Sequence, residues 1–145
     1  MSAEPAPSPA RVLARLARQV EHALADLELS LAQYRLLAYL AKGDEAASRL
    51  ADKLAVSRPS VTALVDGLVK RGFVERHARE DDRRRIDHVL TPAGRAALDA
   101  ADDAANAKLA DLAQRLPGDA LTDALAALGA AEETLDAGLM EALAR

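Results

Sequence analysis

LADKLAVSRPSVTALVDGLVKRGFVERHAREDDRRRIDHVLTPAG, residues 50–94, changes texture twice. Val61, Leu64, Val65, Leu68 and Val69 recur at i, i+3, i+4, i+7 and i+8, which predicts one apolar stripe on a helix over about 58–71. Ser57 is its N-cap, Pro59 sits in the first turn where no intrahelical N–H bond is needed, and Gly72 ends it. Phe73–His77 and Ile86–Thr91 then read as short β runs. Between them Ala78–Arg85 is polar throughout, so the pair predicts a β-hairpin with a long charged tip. Thr91-Pro92 begins another helix, with Thr91 as N-cap and Pro92 at its first position.

Outward from this stretch the chain is helical. Val12, Leu13, Leu16, Val20, Leu24 and Leu27 predict a helix over about 10–28, behind a flexible arm at 1–9. Ser30 and Gln33 have the spacing of a capping box and open a second helix, with Tyr34, Leu36, Leu37 and Leu40, that stops at Gly43. A third helix over about 46–54 turns Ala47, Leu50, Ala51 and Leu54 inward. Beyond Pro92 the helical pattern runs to about Leu116, breaks at Pro117-Gly118, and resumes over about 119–144.

Composition agrees. The 145 residues fit one domain of ordinary size, and alanine and leucine supply 35 and 24 of them against one isoleucine, one phenylalanine and no tryptophan. That excludes an all-β fold and favours helices. The expected fold is mostly α with a small β-hairpin wing. The absence of cysteine excludes disulfides, thiol redox sensing and thiolate metal sites. The longest stretch without a charge, Ala124–Ala131, is far too short to span a membrane, and the N-terminus does not read as a signal peptide, so a cytoplasmic protein is expected. The net charge of −4 conceals segregation: −1 over residues 1–45, +4 over 46–95 and −7 over 96–145. A basic middle suggests a local anion-binding face, with a solvated charge run as the alternative.

Two short helices joined by a tight turn, followed by a hairpin with a basic tip, form the layout of a winged helix-turn-helix. Opposite the apolar stripe of helix 58–71 a wheel places Pro59, Ser60, Ala63, Asp66, Gly67 and Lys70, with Thr62 at the margin. Such small side chains let a helix enter a major groove about 12 Å wide. The hydroxyls of Ser57, Ser60 and Thr62 and the helix N-terminal amides suit phosphate or base contacts, and Arg58 is the one long donor at the helix start. An ordinary surface helix of low bulk is the alternative. At the hairpin tip Arg83, Arg84 and Arg85 repel one another, yet would gain strongly in a narrow minor groove where the phosphate field is focused. Glu80, Asp81 and Asp82 beside them either reduce the tip to a salt-bridged loop or hold an arginine in one pose.

The stretch from Leu50 to Gly94 resembles the MarR family of bacterial transcription regulators. The wing pattern Asp82-x-Arg84 followed by Leu90-Thr91-x-x-Gly94 and the run VSRPSVTALVDGLVKRG carry the resemblance, and helix order and length agree over nearly the whole chain. The resemblance implies a homodimeric repressor that reads a pseudo-palindrome in double-stranded DNA. It implies a helical dimerisation region from 10–28 and 92–144, and a DNA-binding lobe from 30–91. Ser57, Arg58, Pro59, Ser60 and Thr62 would then approach the major groove, Arg84 would enter the minor groove flanked by Arg83 and Arg85, and Asp82 would orient the wing arginine. Leu109, Leu112, Leu116, Leu121, Leu125, Leu128, Leu135, Leu139 and Leu143 would face the partner. Where many members carry a long polar side chain this chain has Ala63 and Gly67, so shape and wing contacts should contribute more.

Many relatives release DNA on binding a small aromatic acid or phenol. The candidate effector pocket here comprises His22, Tyr34, Arg35 and Tyr39, with a core or interface role as the alternative for each. His88 is expected to lie near Glu75 across the hairpin. The three histidines, His22, His77 and His88, are scattered, so no metal site is expected, and no cofactor. No phosphate loop, metal-ligand spacing or nucleophile elbow is present, and pairs such as Asp102-Asp103 and Glu132-Glu133 point about 100° apart on helices, so an enzyme is not expected. The competing class is a winged-helix module that binds a protein instead of DNA.

Overall fold

The computed structural model describes residues 8–43 and 45–143, with side chains for 8–43 and 46–133. In chain order the elements are α1 (Pro9–Ala25), α2 (Leu31–Leu40), β1 (Glu45–Ala46), α3 (Ala47–Leu54), α4 (Arg58–Lys70), β2 (Val74–Ala78), β3 (Ile86–Leu90), α5 (Pro92–Ala113) and α6 (Ala120–Leu143). The chain divides into two compact units, one ending at Asn106 and the other beginning at Ala107.

Local chemistry sets the helix ends. Ser30 Oγ accepts from Gln33 N at 3.1 Å, and Gln33 Oε1 accepts from Ser30 N at 3.1 Å, so the expected capping box is complete. Ser57 Oγ likewise accepts from Ser60 N at the start of α4. The first helix differs from expectation at both ends. Pro9 is already its first residue, since proline's fixed φ suits that position. At the other end the helix stops at Ala25, and Leu27, Glu28 and Leu29 form a tight turn with Glu28 at φ 54. The rest of the expected arm, residues 1–7, lies outside the described residues.

The hairpin is also more than a hairpin. β1 adds a third strand, pairing Glu45 with His88 and Ala46 with Asp87, so the sheet runs β1-β3-β2. Ala46, expected to begin the third helix, is extended at φ −74 and ψ 150 and serves as the cap of α3 instead. Its pairing with β3 satisfies backbone groups that a helix start would have left free.

One core ties these elements together. Leu24 of α1, Leu36 and Leu37 of α2, Leu50 of α3, and Val61, Val65 and Leu68 of α4 are fully buried, joined by Val74 of β2 and Leu98 and Ala101 of α5. The start of α5 is seated on the corner after α4. Thr91 Oγ1 donates to Gly72 O at 2.6 Å and accepts from Gly94 N at 3.0 Å. A β-carbon on Gly94 would lie 2.0 Å from the Phe73 carbonyl oxygen, so only glycine permits this approach. A second link joins α2 to α5: the half-buried Tyr34 donates its hydroxyl proton to Asp102 Oδ1 at 2.5 Å. Burial pushes the Tyr34 phenol well above its ordinary range, and the hydrogen bond to Asp102 and that group's charge add to the effect.

In the second unit α6 follows the Pro117-Gly118 break. Leu116, Leu125 and Leu128 are exposed and Leu109, Leu112 and Leu121 half-buried, while the side chains of Leu135, Leu139 and Leu143 lie outside the described residues. Among the described residues no helix is long and apolar enough to cross a membrane.

Two outcomes follow from these contacts. Gly94→Ala should lose about 3 kcal/mol of stability, because the clash is with backbone that cannot swing away. Gly129→Ala, on an open helical face, should instead gain about 0.5–1 kcal/mol. Denaturant unfolding of both variants checks the contrast. For Tyr34 the folded pKa is raised, so its contribution is intact below the unfolded phenol value of about 10 and is lost as pH rises further. With two tyrosines and no tryptophan, ultraviolet absorbance reports tyrosinate cleanly. Wild type should show a late ionisation step that Tyr34→Phe lacks; loss of an ordinary phenol step instead would contradict the buried pair.

Candidate nucleic-acid interface

Burial of Val61, Val65 and Leu68 decides which residues of α4 remain outside. Arg58, Pro59, Ser60, Thr62 and Ala63 are exposed in its first two turns, just after the exposed cap Ser57. The turn before it passes through Ala55 at φ 54, a left-handed conformation that a β-carbon disfavours. The hydroxyls are locally engaged. Ser57 Oγ and Ser60 Oγ share a hydrogen bond at 2.8 Å, and Thr62 Oγ1 donates to Arg58 O at 3.1 Å. Thr62 therefore spends its one proton within the helix and faces solvent as an acceptor.

The small face is shorter than the wheel suggests. Asp66 and Gly67 are half-buried. Asp66 forms an ion pair with Arg76 of β2, which ties α4 to the wing. A β-carbon on Gly67 would come within 3.2 Å of Gln33 Nε2, so this glycine makes room for α2 rather than for a groove.

The wing tip is built on two aspartates with different tasks. Arg79 makes a bidentate pair with Asp81, Nε to Oδ1 at 2.9 Å and Nη2 to Oδ2 at 3.0 Å, with Asp87 at 3.9 Å behind it. The hydrogen bond from Arg79 holds the Asp81 carboxyl below its usual range. Asp82 works on the backbone. Its Oδ1 accepts from Arg84 N at 3.0 Å, and its carbonyl accepts from Arg85 N at 2.8 Å. Asp82 thus shapes the turn that presents Arg84, and does not grip the Arg84 guanidinium. Arg85 Nε lies 3.9 Å from Asp82 Oδ2. The exposed side chains of Arg83 and Arg84 enter no hydrogen bond or ion pair with any described residue. Two guanidinium groups on a pinned turn, next to a small-residue helix start, can engage phosphates or a groove; the backbone is ordered in advance, the two side chains are not.

An open cleft of about 870 Å³ lies between α4 and the wing, lined by Thr62, Val65, Arg76, Arg79, Arg84 and Arg85 among others. Arg49, from the start of α3, also lines it. The sequence reading missed Arg49, Arg76 and Arg79, because only the fold brings these three to the arginine-rich tip. His88 also differs from expectation. It is buried on β3 opposite Arg76, because β2 and β3 pair Glu75 with Val89. The histidine beside Glu75 is His77, its Nε2 at 3.1 Å from Oε2.

The four effector candidates do not converge on one another. Tyr34 turns to Asp102 of α5. Arg35 Nη2 and Tyr39 Oη both donate to Lys53 O, at 3.4 and 3.2 Å, and Lys53 Nζ lies 5.4 Å from the Tyr39 ring centre. His22 is exposed on α1. None of the four lines the cleft beside the wing.

Comparison with known proteins agrees with this layout. Residues 25–85 match the MarR family. The HTH-type transcriptional repressor YetL of Bacillus subtilis (strain 168) is 32% identical over 83 residues, covering 55% of this chain and half the length of that relative. The transcriptional repressor CouR, solved bound to a 23-mer DNA duplex, superposes with a TM-score of 0.72 at 29% identity over 86% of this chain and 88% of that one. The Mycobacterium tuberculosis MarR family protein Rv2887, solved with p-aminosalicylic acid, gives a TM-score of 0.70 at 25% identity over 85% of this chain and 94% of that one. The helix-turn-helix, the pinned wing and the Thr91–Gly94 corner make this chain similar to the MarR family, whose family model matches it over residues 25–85.

Proposed function

We propose that this chain is a sequence-specific DNA-binding transcriptional regulator: a homodimeric repressor that binds a pseudo-palindromic operator in the cytoplasm and acts by occupancy, not catalysis. The observation that carries the reading is the wing tip, where Arg83 and Arg84 stand exposed on a turn fixed by Asp82 beside the small, exposed start of α4. In this reading the first turns of α4, with Ser57, Arg58, Pro59, Ser60 and Thr62, enter the major groove. Arg84, flanked by Arg83 and Arg85, reaches the minor groove. Arg49, along the cleft between them, supplies positive charge where the phosphate backbone would pass, whereas Arg76 and Arg79 are already paired with Asp66 and Asp81 and brace the wing. The DNA-bound CouR structure and the repressor YetL support the assignment.

A second copy of the chain is the natural cover for the exposed leucines of the C-terminal unit, Leu116, Leu125 and Leu128, and for Val12 and Leu13 of α1. A small aromatic acid or phenol as effector has support from the p-aminosalicylic acid complex of Rv2887. In this chain Tyr34 and its partner Asp102 are the groups through which such a ligand would act on α5.

The test is a fluorescence anisotropy titration against the duplex immediately upstream of the chain's own gene and a shuffled duplex, over a range of salt. The expected result is tighter binding to the upstream duplex, with log affinity falling steeply and linearly with log salt. Arg84→Ala should weaken binding by about 1–3 kcal/mol. Normal binding by Arg84→Ala would remove the wing from the account, and salt-insensitive affinity would favour a protein partner.

A further inference from the structure

The residue directly after α4 makes an unusual set of contacts. Arg71 Nη1 donates to Glu28 O at 2.8 Å and Nη2 donates to Leu27 O at 3.0 Å, so the fork spans two successive carbonyls of the α1–α2 turn. The same guanidinium lies 4.6 Å from the centre of the Phe73 ring. Its own backbone is fixed as well: Gly72 takes φ 72, and Phe73 N donates to Leu68 O at 2.9 Å. At the other end Glu28 holds φ 54, a left-handed conformation unusual for a side-chain-bearing residue, and its carbonyl is one of the two that Arg71 grips. The site also lies just past the C-terminus of α1, where a cation is favoured.

The apolar contacts between α1 and the lobe come from Leu24, Val20 and Leu27, and burial of this kind is non-directional. It holds α1 against the lobe but leaves the crossing angle a range of about 15–20°. A planar fork bonded at both tips and stacked on a ring narrows that range.

We infer that Arg71 is a positioning residue that sets the angle between α1 and the DNA-facing helix α4, and through it the separation of the two half-sites a dimer can span. The inference rests on the dimeric DNA-binding reading above. In that reading α1 belongs to the shared dimerisation region, so a change of tilt at Arg71 would be doubled across the two-fold axis. Arg71 itself touches no DNA. Its loss would alter spacing selectivity rather than affinity for an isolated half-site.

The chain has no cysteine, so introduced cysteines carry spin labels only where they are placed. Arg15→Cys on α1 and Ala63→Cys on α4, labelled and diluted into unlabelled chain, give the distance between the two helices of one protomer. A narrow distance distribution is expected in the parent. Arg71→Ala and Arg71→Lys should both broaden it, because lysine keeps the charge but not the fork. Circular dichroism confirms that each variant is folded. Unlabelled chains are then titrated with a duplex selected from a random pool, and with that duplex carrying one added base pair between half-sites. The preference for the selected spacing should fall about tenfold in both variants, a coupling of ordinary size. A parental distance distribution, or a parental spacing preference in both variants, overturns the proposal. If the parent binds no duplex at all, it is the DNA-binding reading that fails, and the distance measurement alone decides whether Arg71 sets the angle.

Discussion

The burial of one helical stripe governs this molecule. Val61, Val65 and Leu68 are removed from water completely, against Leu24, Leu36, Leu37 and Leu50. At about 1.5–3 kcal/mol for each large aliphatic side chain, that burial leaves α4 no freedom to rotate about its axis. The exposed set, Arg58 to Ser60 with Thr62 and Ala63, follows from it. So does the position of Asp66, which meets Arg76 and couples the wing to the helix. The site is therefore a by-product of the core: the apolar stripe decides which face of α4 is exposed, while Ser57 and Thr62 bond within the first turns of the helix.

The second constraint is the corner at Thr91 and Gly94. Thr91 caps α5 and at the same time bonds the carbonyl of Gly72, while Gly94 lets the first turn of α5 rest on the Phe73 carbonyl. The exit of α4, the start of the wing and the start of α5 meet there. Arg71 and Phe73 extend the same corner to the α1–α2 turn. Helices flanking the lobe are thus tied to it by directional bonds as well as by apolar contact, and a displacement at either end has a path to α4.

Much of this was legible in the chain because the signals are local. Ser30 with Gln33, Ser57 before Pro59, and Thr91 before Pro92 each announce a helix start within three residues. The apolar stripe of α4 needs only one helical period to be seen. What escaped the sequence depends on distant partners. A two-residue strand such as β1 has no periodicity of its own, and exists because β3 offers it an edge. The smallness of Gly67 reads equally well as groove access until Gln33 is found beside it. Arg76 and Arg79 are unremarkable strand and loop residues until the fold turns them toward the wing cleft. The register that separates His88 from Glu75 depends on the length and shape of the tip, which charge pattern alone does not fix. Asp82 was legible as a partner for the wing arginine, but whether it would bind the guanidinium or the backbone N–H was a question of geometry.

The central claim is that the start of α4 and the tip of the wing form one DNA-facing surface. Amide chemical-shift mapping of the isotope-labelled chain, titrated with a duplex recovered by selection from a random pool, tests it most directly. The account predicts that the largest changes cluster at Ser57–Ala63 and Arg83–Arg85, with none along the exposed face of α6. Changes confined to α6, or spread over the molecule without a cluster at those two segments, would contradict it.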